Sequence, residues 1–283
     1  SLRSVFSYAP WVNRIYIVSD GQVPAWLDLQ HPKIKLVEHE AIFSRSDCLP
    51  TFNGRAIEAC IHNIEGLAEH FIYFNDDMFL GRPVSPGDFF SKKGLPRVFT
   101  TTRFPKSKLQ GDLVRQGDDA LHLAGIRESR RLVEQVTGKK VRYDIRHQVK
   151  PILRNTMRHA ACESYKEQFD AVASARFRGV GQVLPSHCTQ FHAIATGMAA
   201  PTYLKSIRER ASWKDLLYKA SKQSSLFVEL DATCAARLKR VEALRPMLFC
   251  LNQSPSTPAM SIKLAGAFLD KYFPEKSPFE LSA

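Results

Sequence analysis

Phe71-Ile72-Tyr73-Phe74 is an uninterrupted apolar run that ends directly in Asn75-Asp76-Asp77. Such a run predicts a buried central strand, because both of its faces need apolar cover. The residues before it predict a helix. Asn53-Gly54 offers a cap, and Ile57, Cys60, Ile61, Ile64 and Leu67 recur at the 3.6-residue period, with Gly66 and His70 near the end. Further upstream, a short helix leads to two strands. Arg14 to Val18 is a β-branched run closed by the turn Ser19-Asp20-Gly21, and Lys33 to Val37 alternates after the breaker His31-Pro32. Strand and helix alternating at this spacing predict an α/β layered domain with a mostly parallel sheet. Ligands of such sheets bind beyond the carboxyl ends of the strands. The turns after Val18 and after Phe74 are therefore where a site is expected, on one crevice.

The rest of the chain reads as more helical. Asp118 to Val136 has a helical pattern stopped by Thr137-Gly138. Ile152, Leu153, Thr156, Met157 and Ala160 suggest a second apolar helix face, with Arg154 and Arg158 opposite. Residues 204–245 read as helices. Met260 to Tyr272 reads as an amphipathic helix, with Ile262, Ala265, Phe268, Leu269 and Tyr272 on one side, after the loop Ser254 to Pro258. Residues 176–201 are mixed and receive no assignment. No repeat or low-complexity linker divides the chain, so one domain is expected over 1–283, with an α/β core to about 105 and a helical part from 106 to 283.

Charge and cysteine usage narrow the partners. Forty Lys and Arg against 28 Asp and Glu give a net charge of +12, which favours anionic partners without choosing among them. Lys139, Lys140, Arg142, Arg146, Lys150, Arg154 and Arg158 are opposed only by Asp144. The plain reading is a solvated helix face; the alternative is a basic helix resting on an anionic membrane. No basic motif interleaved with aromatics is present, so nucleic acid is not an expected partner. No stretch is long and apolar enough to predict a membrane-spanning helix. None of the six cysteines forms a C-x-x-C pair, which argues against a zinc ribbon or a thioredoxin-type site. Their apolar contexts predict buried free thiols and a reducing compartment. The start, Ser1-Leu2-Arg3, has neither an initiator Met nor a signal-peptide pattern, and the expectation is a chain cut from something longer.

Four places carry side chains capable of chemistry. Asp76 and Asp77, on a turn at a strand end, suit a hard divalent ion that keeps open positions for diphosphate oxygens. The same residues also suit an Asx-turn without metal. Glu58, early in its helix, either favours the positive helix end or orients and deprotonates an acceptor hydroxyl. His147 is of the residue type whose ordinary pKa suits a general base, but the chain has eight other histidines, most of which must be ordinary surface or core residues. Arg178 is either a bidentate phosphate clamp or one more surface arginine.

Taken together, the segments resemble the Stealth family. The resemblance is closest from Ser1 to about Phe90. It rests on Ser1-Leu2-Arg3-Ser4, Ala9-Pro10-Trp11-Val12, Ile15-Tyr16-Ile17-Val18, Asp20-Gly21-Gln22-Val23-Pro24, Trp26-Leu27, Leu49-Pro50-Thr51-Phe52-Asn53, Ala56-Ile57-Glu58 and the run from Phe71 to Asp77. Downstream, His147-Gln148-Val149-Lys150-Pro151 is similar to the family's third region, and Arg178 falls where the family has its arginine. Phe249 to Asn252, with Phe273 to Glu280, resembles the fourth region.

The resemblance implies a glycosyltransferase A-like, Rossmann-like fold. It also implies a transferase that moves hexose-1-phosphate, or N-acetylhexosamine-1-phosphate, from a nucleotide diphosphate sugar to a glycan hydroxyl in capsule or exopolysaccharide synthesis. Glu58, Asp77, His147 and Arg178 become the catalytic positions. Asp20, Gln22, Asn53, Asn75 and Asn252 become substrate-binding, and Asp77 with Asp76 holds Mg2+ or Mn2+. The implied setting is the bacterial cytoplasm, with peripheral contact at the inner membrane face. Two departures carry consequences. The family's first region, expected before residue 1, is absent, which predicts poor donor binding or inactivity. Gln253 stands where the family usually has an acid, which predicts a weaker metal site. Two other readings stay open: a metal-dependent glycosyltransferase that moves the sugar alone, and a non-catalytic polyanion-binding or interaction fragment.

Overall fold

The computed structural model describes residues 1–106, 118–206 and 223–281. Helix α1 (Leu2–Tyr8) leads into β1 (Ile15–Ser19) and β2 (Ile34–Glu38). These two strands pair in parallel, with Ile15 opposite Ile34 and Ser19 opposite Glu38. Helix α2 (Gly54–Cys60) starts where the sequence expects it, with the Asn53 side chain accepting from the Arg55 N–H at 3.1 Å. It stops earlier than its pattern suggests, because a 3-10 turn over Ile61–Asn63 takes over. Ile61, Ile64 and Leu67 are buried all the same. The periodicity tracked burial and not helix length.

Strands β3 (His70–Tyr73) and β4 (Met78–Leu80), helix α3 (Pro86–Phe89) and β5 (Arg97–Thr100) follow. The expectation that Phe71 to Phe74 forms a buried central strand is corrected here. β3 is only half-buried, and Phe74 lies beyond its end. The inner strand of a sheet that is buried along almost its whole length is a later one, described below.

Helix α4 (Asp118–Thr137) matches its predicted span, and Gly138 closes it at φ +67. A side chain at that φ would be strained. Strand β6 (Lys150–Leu153) then pairs antiparallel with β3, Tyr73 facing Lys150 and His70 facing Leu153. Ile152 and Leu153 thus belong to a strand, and α5 (Arg154–His159) begins only after them. The basic run is therefore no single helix face. It spans irregular backbone, β6 and α5; Lys150 is buried in it, and Arg154 donates to the carbonyls of His62 and Leu67. A basic helix resting on a membrane is not what these residues form.

Helices α6 (Lys166–Ala173) and α7 (Pro185–Thr196) come next. α7 lies in the stretch that had no assignment, and nearly all of it is buried, polar residues included. It packs against α4, and closely: a Cβ on Gly125 would sit 2.2 Å from a Leu184 methyl.

Beyond it lie β7 (Ala200–Tyr203), β8 (Lys205–Ser206), β9 (Ser224–Glu229), α8 (Cys234–Leu244), β10 (Leu248–Asn252) and α9 (Ala259–Tyr272). The helical reading of 204–245 holds for α8, fails for β8 and β9, and otherwise falls on 207–222, outside the described residues. β-Branched and apolar side chains flanked by covering helices make β9 a strand; its Leu226 and Val228 pack into the α8 and α9 core.

Among the described residues the architecture is mixed α/β. One sheet runs β4-β10-β9-β8, and three two-stranded ladders are β1-β2, β3-β6 and β5-β7. β3-β6 and β4-β10 are antiparallel, and the other pairings are parallel. β10, Leu-Phe-Cys-Leu-Asn, is the buried central strand, flanked by β4 and β9. The largest core cluster gathers under α2, α4, α6 and α7, and a second lies between β9, β10, α8 and α9. No helix among the described residues is long and apolar enough to cross a membrane.

Candidate active site

A cavity of about 1040 Å³ opens between these layers. One part of its wall is apolar, made by Ile15, Tyr16 and Val18 of β1 together with Phe71, Ile72 and Tyr73 of β3. The other part is polar: Glu58 from α2, Asn75 and Asp76 from the turn after β3, His122 from α4, His147 and Lys150 at β6, Arg178, and His187 from α7. Elements far apart in sequence thus put two carboxylates and several bases around one space.

The acidic turn is held by β10. The Leu251 N–H donates to the Asp77 carbonyl at 2.9 Å, and the Cys250 thiol donates to Asp77 Oδ2 at 3.0 Å. The two carboxylates part: Asp76 is exposed and lines the cavity, whereas Asp77 faces Cys250 and His147. His147 Nε2 stands 3.9 Å from Asp77 Oδ2. That is longer than a hydrogen bond, and it is an ion pair only when the ring carries a proton. Burial alone would raise the Asp77 pKa, but His147 and Cys250 outweigh it and hold the carboxyl below its ordinary value. Asp77 Oδ1 is buried and has no hydrogen-bond partner.

Asp77, His147 and Cys250 bring a carboxylate oxygen, an imidazole nitrogen and a sulfur within 4.8 Å of one another. With the orphaned Oδ1, this donor set fits a divalent cation. The Asp77 carboxylate is its ready ligand, whereas the imidazole lone pair can serve a cation or a proton but not both. Burial and the neighbouring Asp77 push the Cys250 thiol far up, so the sulfur is held as a protonated donor.

Glu58 lies across the cavity, with Oε2 accepting from the Ser186 N–H at 3.3 Å. Burial first, then the Glu58 carboxylate, drive the Tyr73 phenol well above its usual pKa. The histidines form an edge-to-face column, with His147 and His122 centroids 5.9 Å apart and His122 and His187 5.8 Å apart. Burial, then the nearby charges of His147 and Lys150, lower His122 to about 4. Burial also takes His187 well below its ordinary value. Both rings are neutral at pH 7.

Arg178 is exposed and reaches over the start of α2; one of its terminal nitrogens would lie 3.6 Å from a Cβ on Gly54. Its loop is tied down by Asn53, whose Nδ2 donates to the carbonyls of Ala175 and Phe177 and to Gln182 Oε1, at 3.1, 3.4 and 3.3 Å.

Of the sequence-derived positions, Glu58, Asn75, Asp76, His147 and Arg178 line the one cavity, and Asp77 adjoins it through His147. The structure does not bring four others to it. Asp20 is exposed and faces His39 at 3.6 Å, and Gln22 is exposed in its turn. Asn53 is fully buried and spends its amide on the cap and the Arg178 loop. Asn252 donates to Glu229 Oε2 at 2.8 Å. His122, Lys150, His187 and Cys250 were not singled out as site residues. The free cysteines are buried as expected except Cys162, which is exposed.

A mixed α/β protein with a carboxylate–imidazole pair and a basic rim on one cavity has the groups of a phosphoryl- or glycosyl-transferring enzyme. A family model for Stealth protein conserved region 2 matches residues 1–98. An exopolysaccharide phosphotransferase of Streptomyces coelicolor is 34% identical over 99% of this chain and 48% of its own length. The exopolysaccharide phosphotransferase CpsY of Mycobacterium tuberculosis is 33% identical over 99% of this chain and 49% of its own. The exopolysaccharide phosphotransferase cps2G of Lactiplantibacillus plantarum is 56% identical over 34% of this chain and 28% of its own. The chain belongs to the Stealth family. It spans about half the length of the first two of these relatives.

Proposed function

We propose that this chain forms the catalytic unit of a transferase for exopolysaccharide or capsule synthesis. It moves hexose-1-phosphate, or N-acetylhexosamine-1-phosphate, from a nucleotide diphosphate sugar to a sugar hydroxyl, on a glycosyltransferase A-like scaffold in the cytoplasm. The observation that carries the reading is the sharing of one cavity by Glu58, Asp76, His147 and Arg178, with Asp77 against His147. The names of the relatives support the same reaction class.

In this reaction the acceptor oxygen attacks the phosphorus that bears the sugar. A new O–P bond forms, the O–P bond to the nucleoside monophosphate breaks, and the bonding pair leaves with that monophosphate. The sugar's anomeric C–O bond is untouched. Little covalent work falls to the protein, so alignment and charge neutralisation dominate. His147 accepts the proton of the acceptor hydroxyl, and the Asp77 carboxylate beside it stabilises the resulting imidazolium. Glu58 orients that hydroxyl, in a role that is exchangeable with the base. Arg178 clamps phosphoryl oxygens from the exposed side. Asp77, with Asp76 as a second carboxylate, would hold Mg2+ or Mn2+, which would neutralise diphosphate charge when bound, and His147 is left free as the base.

The test uses a donor labelled separately in the sugar and in the phosphorus attached to it. Entry of both labels into product together is the expected result. Sugar label entering alone would make this a conventional glycosyltransferase, the runner-up reading.

A further inference from the structure

The polar part of the cavity holds a cation that the mechanism above does not use. Lys150 opens β6, is 3% exposed, and sits opposite Tyr73 in the β3-β6 ladder. Its ammonium lies 5.2 Å from the centre of the Tyr73 ring. Among the described residues it makes no ion pair. Burial lowers its pKa, Glu58 and Asp77 oppose that only from a distance, and Asp77 is already engaged by Cys250 and His147. Next to it His187, 2% exposed, leaves Nδ1 buried without a partner. Lys150 and His187 both line the cavity and couple electrostatically.

An ammonium taken out of water without a contacting counter-charge destabilises a fold by several kcal/mol. Chains retain such a group when a ligand completes it. The space in front of it is polar and open, and Arg178 rims the same space. The β3-β6 ladder fixes Lys150 beside the strand that delivers Asp76 and Asp77, so the bases and the ammonium share one frame. A point charge on a flexible stem suits phosphate oxygens.

We infer that Lys150, with His187 donating in its Nδ1–H tautomer, forms the floor of a phosphoryl-anion site inside the cavity. The inference rests on the transferase reading only for the anion's identity, a phosphate of the donor diphosphate. Lys150 as a mere counter-ion for Glu58 and Asp77 is the competing role, and the two roles give opposite results below.

The experiment uses inorganic pyrophosphate, in metal-free buffer, with the wild type, Lys150→Met and Lys150→Arg. Pyrophosphate is expected to raise the melting temperature of the wild type. Lys150→Met should bind it at least tenfold more weakly by calorimetry, while its ligand-free form melts at or above the wild type because an uncompensated buried charge is gone. Lys150→Arg should retain most of the binding. Undiminished binding in Lys150→Met overturns the inference, as does a wild type that pyrophosphate does not stabilise. A Lys150→Met protein that melts lower with unchanged affinity marks a structural counter-ion and overturns it too. Transfer of doubly labelled donor is read separately: Lys150-dependent pyrophosphate binding without any transfer removes the transferase reading and leaves the anion site standing.

Discussion

The Cys250 thiol donates to Asp77 Oδ2 at 3.0 Å, joining the central strand β10 to the acidic turn after β3 across 173 residues. This contact decides which carboxylate oxygen is free. Oδ2 is shared between the thiol and His147, and Oδ1 is left buried and unpaired. A thiol is thus a positioning group in the site, although nothing in its apolar surroundings advertises one.

Cys250→Ala should therefore cost about 1–3 kcal/mol of stability, the usual penalty for stranding a buried acceptor. It should also raise the Mg2+ or Mn2+ concentration needed for half-maximal activity. Cys250→Ser, which keeps a donor, should fall between. Chemical denaturation and a metal titration of activity check both points; identical metal curves for all three proteins would remove Cys250 from the site.

His147→Ala and Arg178→Ala should each lower turnover by 10²-fold or more, the usual range for a lost base or charge clamp, with melting unchanged. Asp77→Asn should abolish the response to added divalent ion. Steady-state kinetics alongside thermal melts separate these from folding defects, and near-normal turnover in either Ala variant would refute its assigned role.

Asn53→Ala tests positioning at a distance. It removes the α2 cap, worth about 1 kcal/mol, and frees the carbonyls of Ala175 and Phe177, for a total near 2–3 kcal/mol. Because these bonds hold the loop carrying Arg178, turnover should fall as well, and more steeply than donor affinity. A destabilised protein with full activity would show that the loop needs no tether.

The chain ends supply a pH signature. Arg3 forms a two-pronged pair with Glu280, at 2.8 and 2.7 Å. Its hydrogen bonds draw the Glu280 pKa down from 4.5 to about 2. A carboxyl lowered on folding stabilises fully above its unfolded value and loses that contribution as pH falls toward the folded one. Stability should thus decline between about pH 4.5 and 2, and Glu280→Gln should flatten that limb while lowering stability at pH 7. Urea melts across this range are the measurement; parallel wild-type and variant profiles would rule the pair out as the source.

Of the candidate site, the cavity-lining positions Glu58, Asp76, His147 and Arg178, with the adjoining Asp77, are singled out by the motif strings alone. The alternation of strand and helix likewise announced the α/β class. What escaped was set by tertiary pairing. Ile152 and Leu153 have a helix-compatible spacing and became strand because β3 offered them a ladder. Lys150 looked like one member of a solvated basic run, and only its place opposite Tyr73 takes it inside. α7 hid because it is buried nearly all round and has no amphipathic period to find. Asn53, read as binding substrate, does its work as a cap and a loop tether.

β1 and β3 are each paired on one side only among the described strands, and both contribute apolar residues to the wall of the cavity. Each strand therefore keeps one edge whose backbone groups no described strand pairs. An open edge is where a further extended segment adds most readily, so growth of the sheets in this fold is directed to such edges.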